Sequence, residues 1–332
     1  MSKFPDGIFQ YGGMPVGGGR YEAMWPSAKV YFVDYDNGTT GAGGKSPSNA
    51  FKYLQDAIDL ATTYDVIYIR PRAISDVTAG SPSAHLPKST TNWSTTSTQQ
   101  GLSLIGTGVG HSMSSGYGTL LQGTATAGAT PALYVKAPLI NIENLSFNRG
   151  ASTYNPIGLG AVGACVVVQG SSDLASYPFQ STFTNCSFWD NDYGSGSKSV
   201  GLYMDDAWYL TIQDCQFIDC GYSIAIGATA TVSQGIRILN TDFMGLAADI
   251  KCDIYSNGGV ANILIANCSF NHVLPTGGSP NQYIVFSAAS TGLVANCWTG
   301  AAATTIATNT TLNGVNYSQL YGGNNIDRMT TS

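Results

Sequence analysis

Six aspartates fall in pairs along the second half of the chain: Asp190 with Asp192, Asp205 with Asp206, and Asp214 with Asp219. Paired carboxylates are what polysaccharide cleavage needs, one as acid and one as base or nucleophile, at a separation of roughly 5 to 9.5 Å. Asp190, Asp192, Asp205 and Asp206 are the catalytic candidates on this reading, because they follow or end strands that stacking would bring within reach of one another. Trp189, Tyr193, Tyr203, Trp208 and Tyr209 lie beside them, and such rings can stack on sugars. A lyase would also need carboxylate-held calcium and an Arg or Lys base on the same face. Between residues 150 and 332 the only cations are Lys198, Arg237, Lys251 and Arg328, so that chemistry is thinly supplied.

Other chemistries find less material. Asp34-Tyr35-Asp36-Asn37-Gly38 opens like a calcium loop, but its Gly comes one residue early and Lys45 stands where a bidentate Glu is required. The string reads as a turn. His85, His111 and His272 are far apart, no Cys-x-x-Cys occurs, and no metal or other cofactor is expected. No Gly-x-Ser-x-Gly elbow leads a strand into a helix. The Gly-rich run at 106–110 follows the strand LSLI but opens no helix, so it reads as a tight corner and not a phosphate cradle. The Thr-rich stretch TTIATNTTL lacks the sustained Thr-x-Thr of an ice-binding array.

The elements that would position these residues repeat. An alternating strand, a polar corner residue, a small residue and an aromatic recur in INIENLSF (140–147), FTNCSF (183–188), LTIQDCQF (210–217), IRILNTDF (236–243), ILIANCSF (263–270) and, more loosely, LVANCW (293–298). Aligned on Asn144, Asn185, Asp214, Asn240, Asn267 and Asn296, the spacings are 41, 29, 26, 27 and 29 residues, one coil of a solenoid each. A second class of strand lies between them: ACVVVQG (164–170), SVGLYMDD (199–206), YSIAIGA (222–228), DIKCDIYSN (249–257) and QYIVFSA (282–288). Short strands at a fixed period, with Gly, Asn, Ser and Asp corners and no intervening helices, predict parallel sheets wound as a right-handed β-helix. The fold class is all-β. Phe147, Phe188, Phe217, Phe243 and Phe270 fall in register as an internal stack, Leu145, Cys186, Cys215, Thr241, Cys268 and Cys297 form a second column, and the Asn positions form an amide ladder with Asp214 as the exception. Free thiols in that column behave as small buried hydrophobes. A redox role would need nearby positive charge, which these segments lack.

Upstream, Phe51, Leu54, Ala57, Ile58 and Ala61 recur at helical spacing between two strands, with Ser48 or Asn49 available to cap the helix. A solenoid must cover its open first coil, and this helix is the expected N-terminal cap. The chain divides into an extended arm (1–28), a first strand, capping helix and following strand (29–72), the β-helix (73–305) and a C-terminal coil or cap (306–332).

Composition narrows the partners. With 43% hydrophobic residues and 10% charged residues the chain has ample material for an ordered core. Its 14 basic residues against 20 acidic ones, net charge -6, include no basic run, so nucleic acid is not an expected partner. No apolar stretch has signal-peptide or membrane-spanning length, so neither general secretion nor membrane insertion is expected. Seven cysteines, an odd number, fit reduced thiols in a protein made in the cytoplasm.

Val33-Asp34, the Gly-rich turn, Ser46 to Phe51, LQDAIDLA, DVIYIRP and GLSLIGTG together resemble the start of pectin-lyase-like right-handed β-helices in tailed-bacteriophage virion proteins. The opening FQYGGMPVGGG is similar to the short N-terminal arms of β-helix proteins carried on phage particles. Asn240-Thr241-Asp242 and Asp205-Asp206 are similar in composition to polygalacturonase strings. They stand in the opposite chain order, the family's Gly-His-Gly is missing, and the repeat already accounts for Asn240 and Thr241. The resemblance implies a non-enzymatic virion structural protein, a capsid-decoration or head-fibre subunit exposed on the virion surface and assembled in the host bacterial cytoplasm. Its partners would be the major capsid protein or other virion proteins, and a homotrimer is implied. Phe4, Phe9, Tyr11, Met14, Tyr21, Met24 and Trp25 would anchor the arm, which can order on binding. The alternative is a tailspike or tail fibre that binds or depolymerises host surface polysaccharide. Such proteins have a longer coil stack, a separate head-binding domain and a trimerising end, whereas here a short arm and the tail TTLNGVNYSQLYGGNNIDRMTTS flank the coils.

Overall fold

The computed structural model describes residues 28–72, 84–85, 87–88, 93–108, 118–123, 131–148, 161–169, 179–189, 198–227, 233–245, 250, 252–256, 258–271, 282–286 and 290–299, with three further strands at 307–309, 315–318 and 321–322. It is a right-handed parallel β-helix. Each coil contributes a strand to sheet 1, turns sharply, contributes one to sheet 2, and returns through sheet 3. Sheet 1 has ten strands, beginning with Val30–Val33 and Val66–Ile69 and ending with Gly292–Ala295 and Val315–Ser318. Sheets 2 and 3 have eight each, and strands neighbour one another in chain order throughout.

The turn from sheet 1 to sheet 2 is made by one residue. Asn144, Asn185, Asp214, Asn240, Asn267 and Asn296 all adopt left-handed backbone, with φ between 49° and 57°. Asn and Asp tolerate this region better than other residues with a Cβ, which explains why the corner is restricted to them. The amides then connect coils: Asn185 Nδ2 donates to Asn144 Oδ1 at 2.6 Å, Asn240 Nδ2 to Asp214 Oδ1 at 3.1 Å, and Asn267 Nδ2 to Asn240 Oδ1 at 3.2 Å. The expected aromatic stack is present, with centroid separations of 5.4, 4.6, 5.4 and 4.9 Å from Phe147 through Phe188, Phe217 and Phe243 to Phe270. Burying each ring contributes about 1.5 to 3 kcal/mol. All seven cysteines are free and buried. Burial, with Cys186 beside it, pushes the Cys215 thiol well above its ordinary range, and burial does the same to Cys252, whereas the hydrogen bond with Cys268 lowers Cys297.

The N-terminal end is closed by three different devices, one per sheet. Phe32 N–H donates to Gly44 O at 2.8 Å and Phe51 N–H to Phe32 O at 2.8 Å, so residues 44–51 pair with the free edge of sheet 1. His85 N–H donates to Leu120 O and Gln122 N–H donates to His85 O, which closes sheet 2. On sheet 3, Ser94 N–H donates to Gln55 Oε1 at 3.2 Å and Gln55 Nε2 donates to Ser94 O at 3.4 Å, a side-chain amide standing in for a strand. Gln55 belongs to the helix Leu54–Leu60, whose buried Leu54, Ala57 and Ile58 cover the end of the core. The helix begins later than its apolar spacing predicts, and neither Ser48 nor Asn49 caps it. Tyr53 occupies that position without a side-chain hydrogen bond, and Pro47–Asn49 form a short 3-10 turn. The reason is competition: Phe51 is committed to the edge of sheet 1, so the backbone cannot turn helical until after it.

Asp214 interrupts the corner ladder, because a carboxylate has no N–H to offer Asn185 Oδ1. Asp214→Asn keeps the left-handed corner and provides an N–H directed along the ladder, in exchange for the exposed Gln213 contact at Oδ2. We expect it to raise stability by about 1 kcal/mol, read as an upward shift of the urea midpoint; an unchanged or lower midpoint would show that the ladder is not a stabilising feature.

Candidate functional site

One strand of sheet 3, Lys198–Asp205, ends on the candidate carboxylate Asp205, and Asp206 follows it. Along the sheet's strands Leu202 and Met204 point into the main core, so Tyr203 and Asp205 point outward; Val166 and Val168 point inward, so Val167 and Gln169 point outward. Parallel pairing aligns Asp205 with Gln169 and with Gly227 on the next coil, and Tyr203 with Val167 and Ala225. Tyr134 Oη donates to Gln169 Oε1 at 2.6 Å, and Gln169 Nε2 donates to Asp205 Oδ2 at 3.1 Å. A hydrogen-bonded chain therefore crosses three coils and includes a carboxylate. Gly227 leaves room for it: a Cβ there would lie 2.3 Å from Tyr203 Oη and 3.0 Å from Asp205 Oδ1.

This face is closed. Asp205 is 1% exposed, Asp206 4% and Tyr203 4%. Tyr203 sits in an outward apolar cluster with Val167, Tyr222, Ala225, Cys252 and Val285, flanked by Tyr134 and Tyr255. Burial, followed by Cys252 and Tyr255, pushes the Tyr222 phenol up to about 12, so it remains a neutral hydrogen-bond donor. Asp206 occupies a left-handed corner at φ 52°. Glycoside cleavage needs a carboxyl with access to substrate and, in the inverting form, to water; the closed surroundings of Asp205 and Asp206 give neither.

The remaining expected residues separate. Asp190, Asp192 and Tyr193 lie outside the described residues, as do the arm positions Phe4, Phe9, Tyr11, Met14, Tyr21, Met24 and Trp25. Asp214 serves the corner ladder, accepting from Gln213 and Asn240. Trp189 and Trp208 are half-buried, and Tyr209 is exposed at 54%, its ring lying over Gly235. Tyr134 and Gln169 were not singled out by the sequence, although aligning ACVVVQG with SVGLYMDD places Gln169 beside Asp205. Among the described residues no group of three His, Cys, Asp or Glu is arranged to hold a metal ion, and no helix is long and apolar enough to cross a membrane.

A second polar cluster lies at the N-terminal end. Asp34 accepts from the backbone of Asp36 and Asn37 and from Arg70 Nη1 at 2.6 Å, while Asp36 pairs with Arg72 at 2.9 Å. Burial alone would raise the Asp34 carboxyl; the Asn37 N–H and the Arg70 guanidinium outweigh it and hold the group below its usual range. The Asp34–Gly38 turn is therefore locked by arginines. His85 is buried with Nε2 against Arg70 O at 2.6 Å, and the Tyr35 ring meets it edge to face.

No protein-family model and no curated protein matches the sequence. Solved structures do match. Pectin methylesterase from Aspergillus niger in its deglycosylated form is 13% identical, with 90% of this chain and 86% of that chain covered and a TM-score of 0.51. A rhamnogalacturonan lyase is 12% identical, with 88% of this chain and 73% of that chain covered and a TM-score of 0.50. The chain thus has the pectin-lyase-like parallel β-helix fold. At such identities the likeness is one of fold alone.

Burial, then the positive charge of Arg72, lowers His85 from 6.5 to about 4, against the opposing effects of the Arg70 carbonyl, Asp36 and Asp34. The folded state therefore favours neutral His85, and the unfolded chain binds the extra proton between pH 4 and 6.5. Stability should rise with pH across that window by on the order of 3 kcal/mol and then level off. Asp34, depressed in the fold, loses its contribution only at lower pH. Denaturant midpoints of wild type and His85→Gln from pH 4 to 7 separate the two groups: the variant should lose the slope above pH 4, and an identical slope in both proteins would exclude His85 as its source.

Proposed function

We propose that the chain is a non-enzymatic structural protein of a tailed-phage virion, a capsid-decoration or head-fibre subunit displayed on the virion surface. Residues 1–28 would hold it to the major capsid protein or another virion protein. The observation that carries the non-enzymatic part is the use of the carboxylates: Asp205 is 1% exposed and bound to Gln169, and Asp214 serves the corner ladder. The virion part is supported by the sequence resemblance of the opening segment and by the seven apolar residues that precede the capping segment in the sequence.

A second reading has a specific observation in its favour. The Tyr134–Gln169–Asp205 chain lies on the outer face of sheet 3 in a fold shared with a pectin methylesterase and a rhamnogalacturonan lyase. In that reading the chain binds or depolymerises host surface polysaccharide, and Asp205, 1% exposed, would have to be uncovered for a substrate to reach it.

Deleting residues 1–28 should leave a β-helix with the far-UV spectrum of the whole chain that no longer joins the particle. Undiminished incorporation of the shortened chain would defeat the anchoring proposal. Incubating the full chain with host surface polysaccharide should release no new reducing ends; release that Asp205→Asn abolishes would replace the structural reading with the enzymatic one.

A further inference from the structure

The outer face of sheet 1 changes character along the solenoid. On the strands Asn141–Glu143, Thr182–Thr184 and Thr211–Gln213 every outward residue is polar and half-buried. On the first three strands the outward residues are Val30 and Phe32, Val66 and Tyr68, and Ser103 and Ile105, because Tyr31, Ile67 and Leu104 between them point into the core. Pairing sets Val30, Val66 and Ser103 in one row and Phe32, Tyr68 and Ile105 in another. The rings of Phe32 and Tyr68 stack at 5.9 Å. Large side chains standing on the outside of a sheet keep much of their surface in water unless something lies across them. Phe32 and Tyr68 are 5% and 8% exposed, and Val66, Ser103 and Ile105 are buried as well, although the shorter Thr182 and Thr184 further along the same face are not. A cover therefore lies over the first three coils and ends near Asn141–Glu143. Among the described residues the apolar cluster takes in only Ala50 besides the strand residues, and Ala50 belongs to the edge segment paired beside Phe32.

We propose that residues 20–27 fold back across this face as a strap, seating Tyr21, Met24 and Trp25 on Phe32, Val66, Tyr68 and Ile105. Continuity selects this segment, since it runs directly into Val30 at the margin of the cluster. Reach allows it. Phe32 and Ile105 lie two strand spacings apart, about 10 Å, and the nine residues from Tyr21 to Lys29 can span about 30 Å. The other segments near these coils, 73–83 and 109–117, fit less well. Each runs from the end of a sheet 1 strand to sheet 2, where His85 bridges Leu121 and Thr119 begins a strand. Neither carries apolar residues at the density of YEAMWP (21–26). Ser103 Oγ and Asn141 Nδ2, at the polar margin of the face, are buried without a hydrogen-bond partner, capacity that a crossing backbone can meet. Gly17, Gly18 and Gly19 precede the strap and can serve as its joint. The arm then divides: the inner part is spent on its own chain, and Phe4, Phe9, Tyr11 and Met14 are left for a partner. The inference stands on the isolated chain and needs neither functional reading.

Chymotrypsin acting on the isolated full chain tests it, because cleavage of a docked segment follows the population of its open form. The bonds after Phe9 and Tyr11 should be cut at least about tenfold faster than the bond after Tyr21. Trp25→Ala, a change outside the β-helix, should bring Tyr21 to the rate of Tyr11 while the far-UV spectrum stays that of the wild type. Urea midpoints give a second readout. Trp25→Ala and Tyr68→Ser should each lower the midpoint, the double variant should fall no further than the larger single shift, and Phe9→Ala should leave the midpoint unchanged. Equal cutting after Tyr11 and Tyr21 in the wild type, or single shifts that add in the double variant, would overturn the proposal. Protection of Tyr21 in a wild type that sediments at twice the single-chain mass of 34.7 kDa would give the strap to a second copy and overturn the fold-back.

Discussion

The left-handed corner between sheets 1 and 2 is the constraint on which the rest of the structure depends. One residue reverses the chain sharply enough that two three- or four-residue strands share a coil, and its conformation must be the same on every coil for the strands to stack in register. Asn and Asp supply that conformation at low cost, and their side chains reach the next corner. Once the corner is fixed, the residue after it faces inward, which makes the column of Leu145, Cys186, Cys215, Thr241, Cys268 and Cys297, and the residue three positions after it is the stacked Phe. The thiols then donate to carbonyls of their own and the preceding coil, as Cys186 does to Thr184 O and Ile142 O. Corner, thiol column and aromatic stack are one geometric decision repeated.

A solenoid built this way has satisfied backbone along its length and unsatisfied backbone at its end. The N-terminal segment answers that with backbone for sheet 1, the His85 backbone for sheet 2 and the Gln55 side chain for sheet 3. The last two are economical: one residue each closes an edge. Gln99 extends the scheme, its amide donating to the carbonyls of Ile58 and Ala61 at the end of the capping helix. The cap is therefore stitched to the first coil by the Gln55 and Gln99 side chains, whose partners lie 38 to 41 residues away, with loss of either leaving buried polar groups unmatched.

That distance decides what could be read from the sequence. The coil repeat was legible because each copy carries the same corner and the same Phe within eight residues, a local pattern. The strands of sheet 3 were legible from Ala164 onward, where they are long and apolar, but Trp93–Ser94 and Leu133–Val135 are two and three residues long and carry no alternation to see. The capping helix was found from its spacing and its start was misjudged, since nothing local announces that Phe51 pairs with Phe32. Of the candidate site, Asp205 was visible as a carboxylate; Gln169 and Tyr134 required knowing which strands lie side by side. Whether a carboxylate is open or closed is a property of what covers it, which no local pattern encodes.

The same logic bears on how function should be weighed on such a scaffold. Cations are few on this solenoid, with 14 basic residues, and they pair with Asp34, Asp36 and Asp56 at the N-terminal end, while several aspartates of the later coils are held by amides and hydroxyls. Asp214 is held by Gln213 and Asn240, Asp205 by Gln169, Asp253 by Ser223, and Asp242 by Ser269. Each of these partners comes from a neighbouring residue or a neighbouring coil, so the hydrogen bonds follow the stacking direction and serve the same end as the corner ladder. Of the acid pairs visible in the linear sequence, Asp205 and Asp214 each accept a side-chain hydrogen bond from a neighbouring coil. Chemistry on this fold would have to be built where that bonding stops and the side chains are left open to solvent.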